Sequence, residues 1–542
     1  MRGLMMDSAL TITSIMRHAD SQHSGREILS VTHDNARHRY TYGDAFRRAR
    51  QLASALSGLG LDSFDRVATL AWNDHRHFEL YYAISCAGYV CHTVNPRLFA
   101  EQIVFIVNHA EDRCLFLDPM FVPLIEDIID RVKGVEHFVV LSDRKHMPET
   151  SIPGALCYEE LLDSGEADFE WPDLDENAAS SLCYTSGTTG NPKGVLYSHR
   201  SNVLHSYASA LPDTMSLSAS DCVLPVVPMF HANAWGLNYS VPMVGAKFVL
   251  PGPMAADPAT LVELLENEQV SIAAGVPTVW LGLLQHLENE GRTLSSLNRT
   301  LVGGAACPLS IMDEFREKHG VDTYHAWGMT ETSPLGTVCA PKDGFENLGH
   351  DEQQHVRAKQ GRPPYGVELK VVNDGGELQP TDGKAFGALK VRGSWIADAY
   401  YKLDESDAFD EHGWFDTGDV ATIDNDGYMQ ITDRTKDVIK SGGEWISSIE
   451  LENVAVAHPD VTEAAVIGVP HEKWTERPVL IVVPAADADL SRDTVLEFMD
   501  GKVAKWWMPD DVVFVEEIPH TATGKVSKLR LREQFHDYQL PA

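Results

Sequence analysis

The sequence predicts an α/β protein with a large N-terminal domain, made of two α/β subdomains and a β-rich subdomain, and a small α/β C-terminal domain. Helical and strand patterns alternate in the first third of the chain, which is typical of α/β folds. Short strands with Gly-rich turns begin near Leu369 and indicate the β-rich subdomain. In addition, a chain of 542 residues with 44% hydrophobic content is too long to form a single hydrophobic core, so several domains or subdomains are expected.

The N-terminal elements follow from local patterns. Residues 43–59 place Phe46, Leu52 and Leu56 at helical spacing, residues 66–71 predict a strand, and residues 76–87 predict a second helix. Strand, helix and strand patterns continue at 114–118, 121–132 and 137–141. The Pro- and acid-rich stretch 166–176 then marks a boundary ahead of residue 184.

Turn signals define the later elements. Residues 373–376 (NDGG), 381–383 (TDG) and 425–427 (NDG) separate short strands from Leu369 onward. From about Asp433 the pattern returns to a compact α/β segment. We therefore expect an N-terminal domain over residues 1–433 and a C-terminal domain over residues 434–542.

Composition excludes several classes of protein. The formal net charge is −35, from 79 acidic and 44 basic residues, which argues against binding to nucleic acids or to anionic membranes. The N-terminus lacks a sustained apolar core and no long apolar run occurs, so we expect neither export nor stable membrane insertion. The eight cysteines form no Cys-x-x-Cys pair and lie mostly in apolar runs. They are expected to pack as small hydrophobic side chains, which fits a reducing cytoplasm.

The most informative stretch is residues 184–194, which read YTSGTTGNPKG. Glycines at 187, 190 and 194 allow tight turns that bring backbone N–H groups close to an anion, while the hydroxyl residues add donors and Lys193 adds positive charge. An ordinary polar turn explains this density poorly. The P-loop pattern is excluded, because Pro192 and Gly194 flank the lysine where that loop needs Gly and Ser or Thr. A phosphate-binding loop of another nucleotide-binding family is therefore predicted.

A second motif combines an aromatic ring with a carboxylate. Trp327 precedes Gly328, and the pair Thr330–Glu331 follows. The indole can stack on adenine, and the carboxylate can hold Mg²⁺ against triphosphate oxygens, since one or two carboxylates plus substrate phosphates usually bind this ion. Taken alone, the same residues could be a loop aromatic and a helix cap.

The remaining motifs establish a family resemblance. Residues 413–419 (GWFDTGD) present Asp419 at the edge of the β-rich subdomain, where a carboxylate can accept ribose hydroxyls, and a Thr-Gly-Lys turn ends at Lys525. In their order along nearly the whole chain, these motifs resemble the adenylate-forming superfamily. This superfamily includes acyl-CoA synthetases, firefly luciferases and peptide-synthetase adenylation domains.

The resemblance implies a role for each motif. It assigns catalysis to Lys525, which would bridge carboxylate and α-phosphate, and to His231, which borders the acyl pocket with Trp235. It assigns Mg²⁺ binding to Glu331 and Thr185. The other implied contacts to ATP and CoA come from Thr185, Ser186, Gly187, Thr188, Thr189, Gly190, Lys193, Gly303, Gly304, Ala305, Trp327, Gly328, Met329, Thr330, Asp419, Arg434, the hinge residue Lys436, and Lys440, Ser441, Gly442 and Gly443 on the pantetheine route.

The implied activity is that of an ATP-dependent acid–CoA ligase that uses ATP, Mg²⁺ and coenzyme A and has a mobile C-terminal domain. Residues 72–77, 92–99 and 440–447 resemble the medium-chain and 3-methylmercaptopropionate-CoA ligases, which favours a short- or medium-chain acid over a longer fatty acid. No carrier domain is expected after Lys525, so free CoA is the expected acceptor. A cytoplasmic homodimer is expected by analogy alone.

Three other activities remain open at this point. The chain could be an ATP phosphotransferase that releases ADP, a non-catalytic homologue that senses an acyl-adenylate, or an enzyme that oxidises the adenylate as luciferases do. The missing P-loop pattern argues against the first. The presence of Lys525, Glu331 and Arg434 argues against the second.

Overall fold

A computed structural model describes residues 1, 3–185, 191–403, 406–441, 444–471, 473–485, 488, 490–520 and 526–540. Its strands, in chain order, are β1 (Glu27–Val31), β2 (Arg37–Thr41), β3 (Arg66–Leu70), β4 (Val90–Thr93), β5 (Asp112–Leu117), β6 (His137–Val140), β7 (Leu156–Cys157), β8 (Ala179–Tyr184), β9 (Gly194–Ser198), β10 (Cys222–Pro225), β11 (Lys247–Leu250), β12 (Ile272–Gly275), β13 (Arg299–Val302), β14 (Asp322–Gly328), β15 (Leu335–Val338), β16 (Val367–Val372), β17 (Gly387–Gly393), β18 (Phe415–Ile423), β19 (Met429–Arg434), β20 (Ile439–Ser441), β21 (Glu444–Ile446), β22 (Val461–His471), β23 (Thr475–Pro484) and β24 (Asp511–Phe514).

Its helices, in chain order, are α1 (Ile12–His23), α2 (Tyr42–Ser57), α3 (His75–Cys86), α4 (Ala100–Ala110), α5 (Val122–Ile128), α6 (Tyr158–Asp163), α7 (His199–Ala210), α8 (Ala232–Trp235), α9 (Leu237–Val244), α10 (Pro258–Asn267), α11 (Pro277–Glu290), α12 (Leu309–His319), α13 (His350–Arg357), α14 (Ser448–Val456), α15 (Arg492–Met499) and α16 (Lys528–Gln534).

Two large sheets confirm the α/β prediction. One has the order β7-β6-β5-β3-β4-β8-β9, and the other has the order β15-β14-β13-β12-β10-β11-β1-β2. Neighbouring strands are parallel except at β8/β9, β1/β2 and β14/β15. Parallel neighbours need a crossover connection, which the intervening helices supply, for example α3 between β3 and β4.

The first predicted helices are confirmed within two residues. Helix α2 begins after Thr41, and the side chains of Thr41 and Asp44 form a capping box. Helix α3 begins after Asp74, whose carboxylate accepts a hydrogen bond from the His77 N–H. All twelve residues of α3 are buried. A helix buried on every side carries little amphipathic contrast, so its sequence pattern is weaker than that of α2.

The later part of the chain forms two smaller sheets. Strands β16-β17-β18-β19 lie side by side, with β17, β18 and β19 antiparallel, as the turn signals predict. The last sheet has the order β21-β20-β23-β22, and β24 pairs with β23. Along β22, Ala464 and Val466 pack in one core with residues of α14 and α15, while Ala465 and Ile467 pack in another with Leu531 of α16. This alternation is the strand period of two.

The described residues group into two compact units. The larger unit comprises 1–185, 191–368 and 392–407, and the smaller comprises 369–391 and 408–540. Residues 392–403, which we call the return segment, therefore belong to the larger unit although the sequence places them among the β-rich elements. The domain boundary at 433/434 stays a prediction. All eight cysteines are buried. Within the described ranges, no helix is long and apolar enough to cross a membrane.

Candidate functional site

The base of the predicted phosphate loop is a strand pair in the larger unit. Strand β8 ends and β9 begins with Tyr184 opposite Gly194. Just beyond, the Thr185 N–H donates to the Lys193 carbonyl at 2.9 Å, and the Lys193 N–H donates to Thr185 Oγ1 at 3.1 Å. These bonds place Thr185 and Lys193 side by side at the mouth of the loop. The loop residues Ser186, Gly187, Thr188, Thr189 and Gly190 lie outside the described residues.

The second motif continues from β14 into a short turn. Trp327 is 8% exposed and Glu331 is 5% exposed. Gly328 is required here, because a Cβ at this position would lie 1.8 Å from the Pro334 carbonyl oxygen. The Tyr197 hydroxyl on β9 donates to the Thr330 carbonyl at 2.6 Å. Strand β9 therefore anchors the second motif as well as the phosphate loop.

Lys193 and Glu331 meet at one side chain that the sequence did not single out. The Tyr400 hydroxyl donates to Glu331 Oε1 at 2.7 Å, and the Lys193 Nζ lies 4.6 Å from the centre of the Tyr400 ring. Tyr400 lies in the return segment, far from both residues in sequence, so no local pattern could have identified it. The geometry thus brings together a cation and a carboxylate that were predicted to serve the same nucleotide.

The predicted acyl side has unusual backbone geometry. Ala232, Asn233, Ala234, Trp235 and Gly236 all have positive φ, between 44° and 77°. For residues other than glycine this left-handed conformation costs roughly 1–2 kcal/mol each. The buried Asn233 side chain donates to Ser181 Oγ and to Asn202 Oδ1, both at 3.3 Å, and so holds the turn in place.

This left-handed turn presents Trp235 to the 303–305 segment. A Cβ added at Gly303 would lie 3.1 Å from the Trp235 indole, so any larger residue would require the indole to shift by a few tenths of an ångström. Trp235 is 8% exposed. The half-buried His231 directly precedes the turn, and its N–H donates to the Pro228 carbonyl at 3.1 Å. Next to Gly303, Gly304 has a φ of 81°.

The predicted ribose residues lie opposite each other in the smaller unit. Asp419 on β18 pairs in register with Arg434 on β19, and Arg434 Nε lies 2.8 Å from Asp419 Oδ1. Asp419 is 2% exposed, and its N–H donates to Thr417 Oγ1 at 3.1 Å. The guanidinium therefore orients the carboxylate.

The predicted hinge and CoA residues follow directly. Lys436 lies in the turn between β19 and β20. The Lys440 N–H donates to Glu476 Oε2 at 2.8 Å, and Arg477 donates to Ser441 Oγ at 3.2 Å. Gly442, Gly443 and Lys525 lie outside the described residues.

Comparisons with known proteins identify the family. A family model described as "AMP-binding enzyme" matches residues 16–401, and one described as "AMP-binding enzyme C-terminal domain" matches residues 450–525. The chain therefore belongs to the AMP-binding enzyme family, as its motifs predict.

Two curated relatives are similar to this chain over its whole length. It is 56% identical to the 3-methylmercaptopropionyl-CoA ligase of Ruegeria lacuscaerulensis, over 99% of each chain. It is 53% identical to the medium-chain-fatty-acid–CoA ligase of Ectopseudomonas oleovorans, over 100% of this chain and 98% of the relative.

Solved structures share the fold. The anthranilate CoA ligase AuaEII in complex with anthranoyl-AMP matches with a TM-score of 0.86 and 25% identity, over 98% of each chain. ATP-bound MatB from Rhodopseudomonas palustris matches with a TM-score of 0.82 and 26% identity, over 98% of this chain and 99% of MatB.

Proposed function

We propose that this protein is an AMP-forming acid–CoA ligase whose substrate is a short- or medium-chain acid. The carboxylate and ATP would form an acyl-adenylate and pyrophosphate, and the CoA thiol would then displace AMP to give the acyl-CoA. The observation that carries this proposal is the meeting of Lys193 and Glu331 at Tyr400. Two relatives that match this chain over nearly their whole length are named as acid–CoA ligases.

The residues at the ATP side suit the chemistry of two approaching anions. In the larger unit, Lys193 supplies positive charge beside the hydroxyl of Thr185. In the smaller unit, Arg434 orients the Asp419 carboxylate, which would accept the ribose hydroxyls, as the family resemblance implies. Mg²⁺ is usually bound by one or two carboxylates plus substrate phosphates, and Glu331 would be the carboxylate. When bound, Mg²⁺ would neutralise phosphate charge.

Lys525 is proposed as the lysine of the first step only. The C-terminal domain, residues 434–542, would turn about Lys436 between the two steps, exchanging Lys525 for the CoA route at residues 440–443. We expect Lys525→Ala to slow adenylation by about 100- to 1,000-fold, the usual cost of one lost charge-stabilising donor. The mutant should still convert supplied acyl-AMP and CoA to acyl-CoA.

The half-reactions are measured separately, adenylation as pyrophosphate release without CoA and thiolysis as thioester absorbance. Lys440→Ala serves as the opposite variant, since its lesion should fall on thiolysis. An equal loss of both half-reactions in Lys525→Ala would assign this residue a folding role.

The acyl pocket is proposed to lie at His231, Trp235 and Gly303. The indole closes against Gly303, which limits the space for an acyl chain and favours shorter acids, including 3-methylmercaptopropionate. A cytoplasmic homodimer is also proposed, on family analogy alone.

The test is a product analysis across an acid series. Purified protein with ATP, Mg²⁺ and CoA is supplied with straight-chain acids of increasing length and with 3-methylmercaptopropionate, and AMP, ADP and acyl-CoA are quantified. We expect AMP and acyl-CoA in equal amounts, with the highest kcat/KM for short or medium chains. ADP as the product would support a phosphotransferase instead, and a maximum at long chains would support a long-chain ligase.

A further inference from the structure

We infer that Tyr400 is a positioning residue of the ATP site, which holds Glu331 and Lys193 in the arrangement needed for a metal-bound triphosphate. This inference rests on the proposed function. None of the sequence motifs includes Tyr400, and its assignment depends on contacts made within the larger unit.

The side chain of Tyr400 acts on two neighbours in two different ways. Its hydroxyl donates to Glu331 Oε1 at 2.7 Å, which restrains rotation of the carboxylate about its last torsion. Its ring lies 4.6 Å from Lys193 Nζ, within the range of a cation–π contact. Tyr400 is 7% exposed and Glu331 is 5% exposed, so water weakens the hydrogen bond little.

The backbone around Tyr400 is joined to both motifs. The Ala397 N–H donates to the Glu331 carbonyl and the Tyr401 N–H donates to the Gly194 carbonyl, each at 2.8 Å. Tyr400 lies between these two anchors. The return segment therefore fixes the distance between the phosphate-loop base and the carboxylate motif, and Tyr400 is its side chain directed at both.

A second pair of bonds fixes the start of the return segment. The Trp395 indole N–H donates to the Leu335 carbonyl at 2.9 Å, and the Ser333 hydroxyl donates to the Trp395 carbonyl at 2.6 Å. Trp395 is 4% exposed. Because the segment is held at both ends, the phenol can orient Glu331 before any nucleotide arrives.

The Tyr400 hydroxyl is the donor in its pair with Glu331, because a carboxylate oxygen accepts. The cation–π contact holds the Lys193 ammonium less strongly than a hydrogen bond would, so the ammonium can turn toward a phosphate group while it stays beside the ring. Tyr400 thus fixes the carboxylate firmly and the lysine loosely.

Two substitutions separate these effects. Tyr400→Phe removes the hydroxyl and keeps the ring, so it should reduce the contribution of Mg²⁺ to ATP binding. Tyr400→Leu removes both, so it should also weaken the binding of ATP without metal. Tyr401→Phe is the matched control, because the neighbouring tyrosine loses the same atom and is tied to Gly194 through its backbone N–H.

The experiment is calorimetric titration of ATP into the purified full chain, with Mg²⁺ or with EDTA. For Tyr400→Phe we expect the ATP affinity in Mg²⁺ to fall about tenfold, which is at the lower end of the range for losing a hydrogen bond to a charged group. The ATP affinity in EDTA should change less than twofold. Tyr400→Leu should lose affinity in both conditions, and Tyr401→Phe in neither. In steady state, Tyr400→Phe should raise the KM for MgATP more than it lowers kcat.

Each outcome has a definite meaning. Equal affinities of Tyr400→Phe and the wild type in Mg²⁺, or an equal loss in Mg²⁺ and EDTA, would overturn the positioning role. Melting temperatures without ligand identify a variant that is merely unfolded, and Tyr400→Phe, which fills the same space, is expected to retain the wild-type value. A wild type that binds no ATP at all would overturn the proposed function as well.

Discussion

In the larger unit the half-buried Arg48 lies beside the buried Glu79, with Tyr158 and Glu159 around them, whereas in the smaller unit the half-buried Lys528 lies beside Ser448 and Glu452. In the first cluster, Arg48 Nε lies 2.8 Å from Glu79 Oε1, and the Tyr158 hydroxyl donates to Glu79 Oε2 at 2.6 Å. Its members come from α2, α3 and α6. All of these belong to the first α/β part of the chain, so the first cluster fixes the packing of helices.

The second cluster joins residues on both sides of Lys436. Lys528 Nζ lies 2.7 Å from Glu452 Oε1 and donates to Ser448 Oγ, which donates to Asp433 Oδ2 at 2.7 Å. In addition, Arg532 Nη1 lies 2.6 Å from Asp437 Oδ1.

The difference lies in what each cluster connects. The second cluster ties α16, which starts three residues after Lys525, to Asp433 and Asp437, on either side of the predicted hinge. Similar charge clusters therefore join one set of helices in the larger unit, and in the smaller unit they join α16 to the segments on both sides of Lys436, where they would favour one conformation of the proposed hinge.

The largest expected effect comes from substituting Glu79, which lies at the centre of the first cluster. Glu79→Ala removes one of the two carboxylates that pair with Arg48 and the acceptor of the buried Tyr158 hydroxyl, whereas Glu159 stays 3.0 Å from Arg48. The loss of two hydrogen bonds to a charged group should destabilise the protein by about 3 kcal/mol. Urea unfolding measures this loss. The control is Glu160→Ala on the same helix as Glu159, because its ion pair with Arg144 is 52% and 78% exposed and should contribute about 0–1 kcal/mol. Similar losses in both variants would remove the distinction between buried and exposed pairs.

The second expected effect is acid sensitivity of the larger unit. Burial lowers the pKa of His77, His199 and His325 to about 4 and that of His205 to about 3. Unfolded histidines bind a proton near pH 6.5, whereas these bind one only well below it. The free energy of unfolding is therefore unaffected by these histidines above pH 6.5. It falls as the pH is lowered from 6.5 toward 4, and each histidine lowers it by roughly 2 kcal/mol at pH 5.

His199→Asn tests this dependence on pH. The His199 Nδ1 accepts from the Ile12 N–H at 3.2 Å, and the asparagine oxygen can replace this acceptor. Between pH 7.5 and pH 5, the variant should lose about 2 kcal/mol less unfolding free energy than the wild type. His412→Asn, the same substitution at an exposed histidine, is the control. A wild-type profile in His199→Asn would show that folding does not shift the pKa of this histidine.

The smallest expected effect concerns the hinge conformation. Asp437→Asn weakens the ion pair with Arg532 and should change the ratio of the adenylation and thiolysis rates about two- to thirtyfold, since such coupling is worth about 0.5–2 kcal/mol. The two half-reaction rates give this ratio. Asp493→Asn, which removes an exposed charge beside Arg492, should leave it constant. If Asp437→Asn lowered both rates by the same factor, the second cluster would serve stability alone.

Local patterns predicted the elements, and contacts between distant segments required the structure. Helix α2 follows from its spacing and its capping box, and the turns before β17 and β19 follow from Asn-Asp-Gly signals. Tyr400 could not be predicted, because its role depends on a segment that returns to the larger unit about 200 residues after Lys193. The left-handed turn at 232–236 also escaped prediction, since four of its five residues are not glycine.

The most direct measurement is acid-dependent exchange of labelled pyrophosphate into ATP in the absence of CoA. This exchange requires that the enzyme form and reverse an acyl-adenylate. We expect label in ATP only when a short- or medium-chain acid and Mg²⁺ are both present, and much less label with Lys525→Ala. No exchange with any acid, in a protein that nevertheless forms acyl-CoA, would contradict the adenylate route.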